Sequence, residues 1–167
     1  MRLFLLRHAN AKNGTPDETR VLDGEGFDQI ENLCGHLNRA SFDSLAQIWH
    51  SPYARAVQTA ECFAKLMGFE VPLITCNNLR PYEDPSEAAR SVAALSSFGG
   101  DLMIVGHNPH IESIAGLLLG ASGRAVRLRF GKSALACLQL EECPCGAGYA
   151  DYGSWTLDFF VAPDRLA

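Results

Sequence analysis

Arg7-His8, Arg55 and His107 are the residues of this sequence best placed to do chemistry. Each comes at or just after the end of an apolar run. Leu3 to Leu6 lead straight into Arg7-His8, "SLAQIW" leads through His50 into "SPYAR", and "DLMIV" leads into "GHNP". Short apolar runs of this kind read as strands buried on both faces of a sheet. In open α/β sheets, ligands bind beyond the carboxyl ends of the strands. Two arginines and two histidines are therefore expected to meet along one sheet edge.

That set suits a phosphoryl group. Guanidinium forks match phosphate oxygens in pairs, and helix N-termini add fixed positive potential. Two helix starts are expected at the same edge, one with Ser51 as cap and Pro52 in its first turn, the other with Asn108 as cap and Pro109 following. A neutral imidazole is a competent nucleophile toward phosphorus, and a covalent intermediate splits one hard displacement into two easier ones. Positioning and charge neutralisation supply most of the rest. His8 is read as the nucleophile and Arg7 as the residue holding the group it attacks, with no metal required where arginine supplies the charge.

The elements that must position these residues alternate along the chain. After the first strand comes a polar loop, "ANAKNGTPDETR", and then Phe27, Ile30, Leu33, Cys34 and Leu37 recur at helical spacing. A second strand ends near His50, and Val57, Ala60, Phe63, Ala64 and Met67 mark a second helix closed by Gly68. "VPLIT" reads as a third strand. "DPSE" starts a third helix, with Asp84 as cap, Pro85 first and Glu87 third, running to about Ser97 and ended by Gly99-Gly100. "DLMIV" is a fourth strand and "NPHIESIAGLLLG" a fourth helix. Beyond Gly123, "AVRLRF", "SALACLQL" and "SWTLDFFVA" read as strands near a sheet edge. The expected fold is a single domain over 1–167, three-layer α/β/α, with a mostly parallel central sheet and an antiparallel edge strand.

Bulk properties narrow the function classes. A chain of 167 residues suffices for one domain with a real core. A formal charge of −5 argues against a general nucleic-acid binder, yet allows a local anion site. No segment approaches the ~20 apolar residues of a membrane span, and Arg7 and His8 interrupt the first apolar run too early for a signal peptide, so a cytoplasmic monomer is expected. Of the six cysteines, four sit singly in apolar stretches, as small hydrophobes do. Cys143 and Cys145 flank Pro144 in a loop and lack a second ligand pair at zinc spacing, so neither a metal nor a cofactor is expected.

Three stretches in order, "LRHA", "SPYARAVQTA" and "VGHNP", resemble the signatures of the histidine phosphatase superfamily, also called phosphoglycerate mutase-like. The short length, "RHANA", "RVLDGEGFDQ" and the terminal "WTLDFFVAPDRL" resemble its small SixA-like branch, the protein-phosphohistidine phosphatases. The resemblance spans nearly the whole chain. It implies His8 as the phosphorylated nucleophile, Arg7 and Arg55 as phosphate-binding arginines and His107 as the second pocket histidine. It also implies a role near the pocket for Arg20 in "TRVLDGEG", and none is assigned to Asn10. Many members carry an acid after the third strand, where Glu83 and Asp84 stand in "LRPYEDPSE". With Asp84 read as a helix cap, Glu83 is the candidate proton donor, and His107 is either a second donor or a phosphate contact.

The leaving group bears on this gap. Imidazole, with a conjugate acid of pKa ~6.5, leaves more readily than an alkoxide, so a weakly defined acid suits a phosphohistidine substrate. The expected activity is removal of phosphate from a phosphohistidine-bearing protein. Two alternatives stay open, a small-molecule phosphomonoesterase and a non-catalytic phosphate-recognition module. A mutase is disfavoured, because a chain this short has little room for capping insertions. His36, His50 and His110 are read as structural or surface residues, with His50 at the pocket rim as the sharper option. Arg124, Arg127 and Arg129 are read as a solvated strand face, or else a docking surface for an acidic partner.

Overall fold

A computed structural model describes residues 1–95, 99–120, 126–143 and 152–163. Six strands form one sheet: β1 (Arg2–Arg7), β2 (Leu45–His50), β3 (Leu73–Thr75), β4 (Asp101–Gly106), β5 (Leu135–Glu142) and β6 (Ser154–Val161). Four helices complete it: α1 (Gly24–Gly35), α2 (Ala54–Met67), α3 (Pro85–Leu95) and α4 (His110–Leu119). The strand order is β3-β2-β4-β1-β5-β6. The first four strands pair in parallel, β5 runs against β1, and β6 closes the edge by antiparallel pairing with β5.

The apolar runs end in the middle of the sheet because both faces there are covered. Along β1, Phe4 and Leu6 enter one core with Met103 and Val105 of β4, roofed by Ile30 and Leu33 of α1 and Ala60 and Phe63 of α2. Leu3 and Leu5 enter the opposite core with Leu102 and Ile104, roofed by Val92 of α3 and Ile111, Ile114 and Leu118 of α4. Alternation across the pleat sends successive residues to opposite layers. The result is the expected three-layer arrangement, with α1 and α2 on one face and α3 and α4 on the other. No helix among the described residues is long and apolar enough to cross a membrane.

Several local expectations hold. Asp84 caps α3, its Oδ1 accepting the Ser86 amide at 2.9 Å. Gly68 ends α2 in the left-handed conformation, φ 66°, which favours a residue without Cβ. Gly26 lets α1 approach the loop after His8, since a Cβ there would lie 2.1 Å from the Asn10 carbonyl oxygen.

Three expectations need correction. "AVRLRF" is not a strand over its described part: Phe130 donates its amide to Glu112, and its carbonyl accepts from Arg7 and Asn108, so side chains take up the bonds a ladder would use. Arg124 and Cys145 lie outside the described residues, as does the end of α3 near Ser97. Asn108 does not cap α4, which begins at His110 with Pro109 in the cap position. Its amide is drawn away to Glu112 at 2.7 Å and Phe130 O at 3.0 Å. Likewise α2 starts at Ala54 with Tyr53 in the cap position, two residues later than the Ser51-Pro52 reading.

Candidate active site

Strand register brings the sequence's reactive residues together. Arg7 pairs with Gly106 across β1 and β4, and His50 pairs with Val105 across β2 and β4. The His8 amide then donates to Gly106 O at 2.9 Å, and the Ser51 amide donates to Val105 O at 3.1 Å. Three parallel strands therefore end side by side, and the residues just beyond them, His8, His107 and Ser51, are buried neighbours. The rings of His8 and His107 have centroids 4.8 Å apart.

The partners of His8 fix its protonation. Its Nδ1 lies 2.7 Å from the Ala9 carbonyl oxygen, which only accepts, so Nδ1 carries the hydrogen. Its Nε2 lies 3.2 Å from Nε of Arg55, which only donates, so Nε2 holds the lone pair. Burial, followed by the charge of Lys132, pushes the His8 pKa down to about 2. The imidazole is neutral and presents its nucleophilic nitrogen beside a guanidinium. Burial also pushes His107 down to about 3, with Arg55 adding to the effect. Its Nε2 shares a hydrogen bond with Ser51 Oγ at 2.8 Å, and Tyr53 packs edge-on at 5.1 Å between ring centroids.

Arg55 projects from the first turn of α2 into this pocket and is itself buried. Its Nη1 and Nη2 donate to the Asp17 carbonyl oxygen at 2.7 Å and to Asp17 Oδ2 at 2.9 Å. Asp17, in a short 3₁₀ turn over 17–19, receives Arg20 Nη1 on its other oxygen at 2.9 Å. Those two arginines hold the Asp17 carboxyl below its ordinary pKa. Arg7 sends Nη1 to Phe130 O at 2.7 Å, while its buried Nε has no partner among the described residues.

Of the expected site residues, His8, His107 and Arg55 converge, while Arg7 ends the strand that carries His8 and its guanidinium bonds Phe130 O. Arg20 reaches the group only through Asp17, its remaining donors going to the carbonyls of Lys12 and Ala11. Glu83 lies on an exposed turn, 4.0 Å from Arg80, and makes no hydrogen bond to His8 or His107 among the described residues. His50 is buried, its Nδ1 donating to Ser51 O at 3.0 Å. Sequence reasoning missed Asp17, Ser51 as a partner of His107, and Lys132. Of these, only Lys132 carried a signal, a lone charge in "FGKSALA" between two apolar stretches.

The buried neutral histidines carry a stability consequence. As pH falls through about 6.5 the unfolded chain gains protons on His8 and His107, whereas the folded chain resists until about pH 2–3. Stability is thus complete above pH 6.5 and lost as pH falls. At pH 5 each histidine costs about 2 kcal/mol, about 4 kcal/mol for the pair. For a chain of this size the Tm should drop by roughly 8–16 °C between pH 7.5 and pH 5. A Tm unchanged over that range in a thermal melt series contradicts the buried neutral state.

The sequence of residues 3–83, from β1 to the turn before α3, matches the family model of the histidine phosphatase superfamily (branch 1). Over that stretch, just under half of the chain, the sequence is similar to the histidine phosphatase superfamily. Its fold extends the likeness to histidine phosphatases over the full length. The protein histidine phosphatase SixA in complex with tungstate superposes with a TM-score of 0.84 at 21% identity, covering 100% of both chains. A structure assigned to phosphohistidine phosphatase SixA from Agrobacterium tumefaciens gives 0.74 at 24% identity, covering 97% of each. The alpha-ribazole phosphatase from Shigella flexneri gives 0.70 at 15% identity, over 98% of this chain and 97% of that one. No curated protein matches the chain in sequence. The family-model match, with a neutral buried histidine beside an arginine, supports phosphatase chemistry.

Proposed function

We propose that this chain is a metal-independent phosphatase that removes phosphate from phosphohistidine on a protein, through a phosphorylated His8. The observation that carries the reading is the His8 imidazole, fixed as the Nδ1–H tautomer with Nε2 open toward phosphorus beside Arg55. Arg7 and Arg55 bind the phosphoryl oxygens as charge builds on them. On substrate binding Arg55 Nε turns from His8 Nε2 to a phosphoryl oxygen, which frees the lone pair for in-line attack. His107, neutral and tied to Ser51, is a hydrogen-bonding wall of the same pocket. Arg20 acts at one remove, by holding Asp17 against Arg55.

Two observations favour phosphohistidine. Three of the structural neighbours carry protein histidine or phosphohistidine phosphatase names. The carboxylate bonded to Arg55, Asp17, is kept ionised by two arginines, and Glu83 lies on an exposed turn beside Arg80. Among the described residues no carboxyl group hydrogen-bonds His8 or His107, which suits a leaving group that departs as neutral imidazole. Such a protein would act as a cytoplasmic monomer on a phosphorelay or phosphocarrier partner. The second reading, a small-molecule phosphomonoesterase, draws on the alpha-ribazole phosphatase neighbour.

Phosphate release from a histidine-phosphorylated carrier protein, compared with release from an aryl phosphate, tests the choice. The carrier should be dephosphorylated much faster. Activity confined to the aryl phosphate would favour the phosphomonoesterase, and release from neither would overturn the phosphatase reading.

A further inference from the structure

Lys132 lies on the loop that leads into β5, and that loop is fastened to the nucleophile's own strand. Arg7 donates its amide to Ala134 O at 3.0 Å and its Nη1 to Phe130 O at 2.7 Å. The Ser133 amide faces His8 O at 3.5 Å. Ser133 adopts φ 56°, the left-handed region that side chains other than glycine seldom enter. This turn reverses the chain beside His8, so that β5 can run antiparallel to β1. The Lys132 side chain is half-buried and makes no ion pair or hydrogen bond among the described residues. It borders a cavity of about 310 Å³ whose other walls are Glu25, Gln29 and Asn32 of α1 and Pro163. Glu25 is committed there to Asn10 and Gln29.

We infer that Lys132, on the loop fastened to the end of β1 beside His8, is the proton donor to the leaving group. The inference rests on the phosphatase reading of His8. In the first step the substrate's P–N bond breaks as His8 Nε2 bonds phosphorus. A proton passes from Lys132 Nζ to the ring nitrogen of the leaving imidazole that did not carry phosphorus, so the imidazole leaves neutral. In the second step a water oxygen bonds phosphorus, the P–Nε2 bond breaks, and the water's proton returns to the Lys132 amine. The cycle yields the substrate protein's unphosphorylated histidine side chain and inorganic phosphate, with Lys132 restored as an ammonium.

The surroundings suit such a shuttle. Arg7 on β1, Arg55 on α2 and Arg20 of the preceding loop face Lys132, with Asp17 as the opposing charge. Across the cavity stands Glu25. Burial, followed by these arginines, lowers the Lys132 pKa to about 8. The side chain is therefore protonated near neutral pH yet able to give the proton up, the poise a general acid needs. In turn the charge of Lys132 is, after burial, the main influence holding His8 unprotonated.

The test separates charge from proton donation. Lys132→Arg keeps a cation but cannot release a proton near neutral pH; Lys132→Ala removes both. Aryl phosphates spanning a range of phenol pKa, together with the phosphohistidine carrier, supply the leaving groups, and competition by inorganic phosphate reads anion binding. In Lys132→Arg, kcat should fall on the order of 10²-fold for the poorest leaving groups and little for the best. Its phosphate competition should match wild type, and the decline of wild-type kcat above pH 8 should disappear. Lys132→Ala should lose the same catalysis and also bind phosphate more weakly. A Lys132→Arg enzyme with the wild-type dependence on leaving group and pH overturns this role while leaving His8 and the phosphatase reading intact. A wild type inactive on every substrate overturns both.

Discussion

His8→Ala should abolish turnover, with kcat reduced on the order of 10⁴-fold or more, since the covalent intermediate forms on His8. The protein should stay folded. Among the described residues the His8 side chain hydrogen-bonds only its neighbour's carbonyl and Arg55, and the sheet bonds at the end of β1 come from backbone. The variant should even be less sensitive to acid than wild type, having lost one histidine that must stay neutral in the folded state. Loss of activity with an intact melting transition therefore isolates the chemistry. Retained activity on any good substrate would remove His8 as nucleophile, whatever the pocket still binds.

The second large effect is expected at Arg55. Its guanidinium is the only one among the described residues that touches the nucleophile's lone-pair nitrogen, and it is fixed there by two bonds to Asp17. Arg55→Ala should lower kcat/KM on the order of 10²–10³-fold, the scale for losing a preorganised donor to transition-state charge. Arg55→Lys should recover little, because a single ammonium cannot span His8 and both Asp17 acceptors. Competition by inorganic phosphate should weaken in both variants. A variant within ~5-fold of wild type, against that expected loss, would place Arg55 outside the phosphoryl site and make its Asp17 pairing structural.

That His8, Arg55 and His107 would meet was legible in the sequence because each stands just after an apolar run or at a helix start, and parallel strand register does the rest. Arg7 pairing with Gly106 automatically puts His8 beside His107. The layers were legible for the same reason, since runs such as "LFLL" and "LMIV" can only be buried on both faces. What stayed hidden depends on partners distant in sequence. Asp17 sits in a polar loop whose 3₁₀ turn is ordered by Arg20 and Arg55, and no periodicity marks it. Lys132 reaches the site only because β5 runs antiparallel to β1. "AVRLRF" alternates as a strand does, yet Glu112, Asn108 and Arg7 satisfy Phe130 instead. Glu83 was inferred from a resemblance at a loop, where local geometry is least constrained, and the structure leaves it with Arg80 at the surface.

Trapping the intermediate tests the central claim most directly. Wild-type protein mixed with a histidine-phosphorylated carrier would be quenched in alkali within a turnover, digested, and mapped for phosphopeptides by mass spectrometry. An acid-labile, alkali-stable phosphate on His8, absent from His8→Ala, is the predicted result. Phosphate release that proceeds with no phosphoenzyme, or a phosphoenzyme carried on another residue, would contradict it.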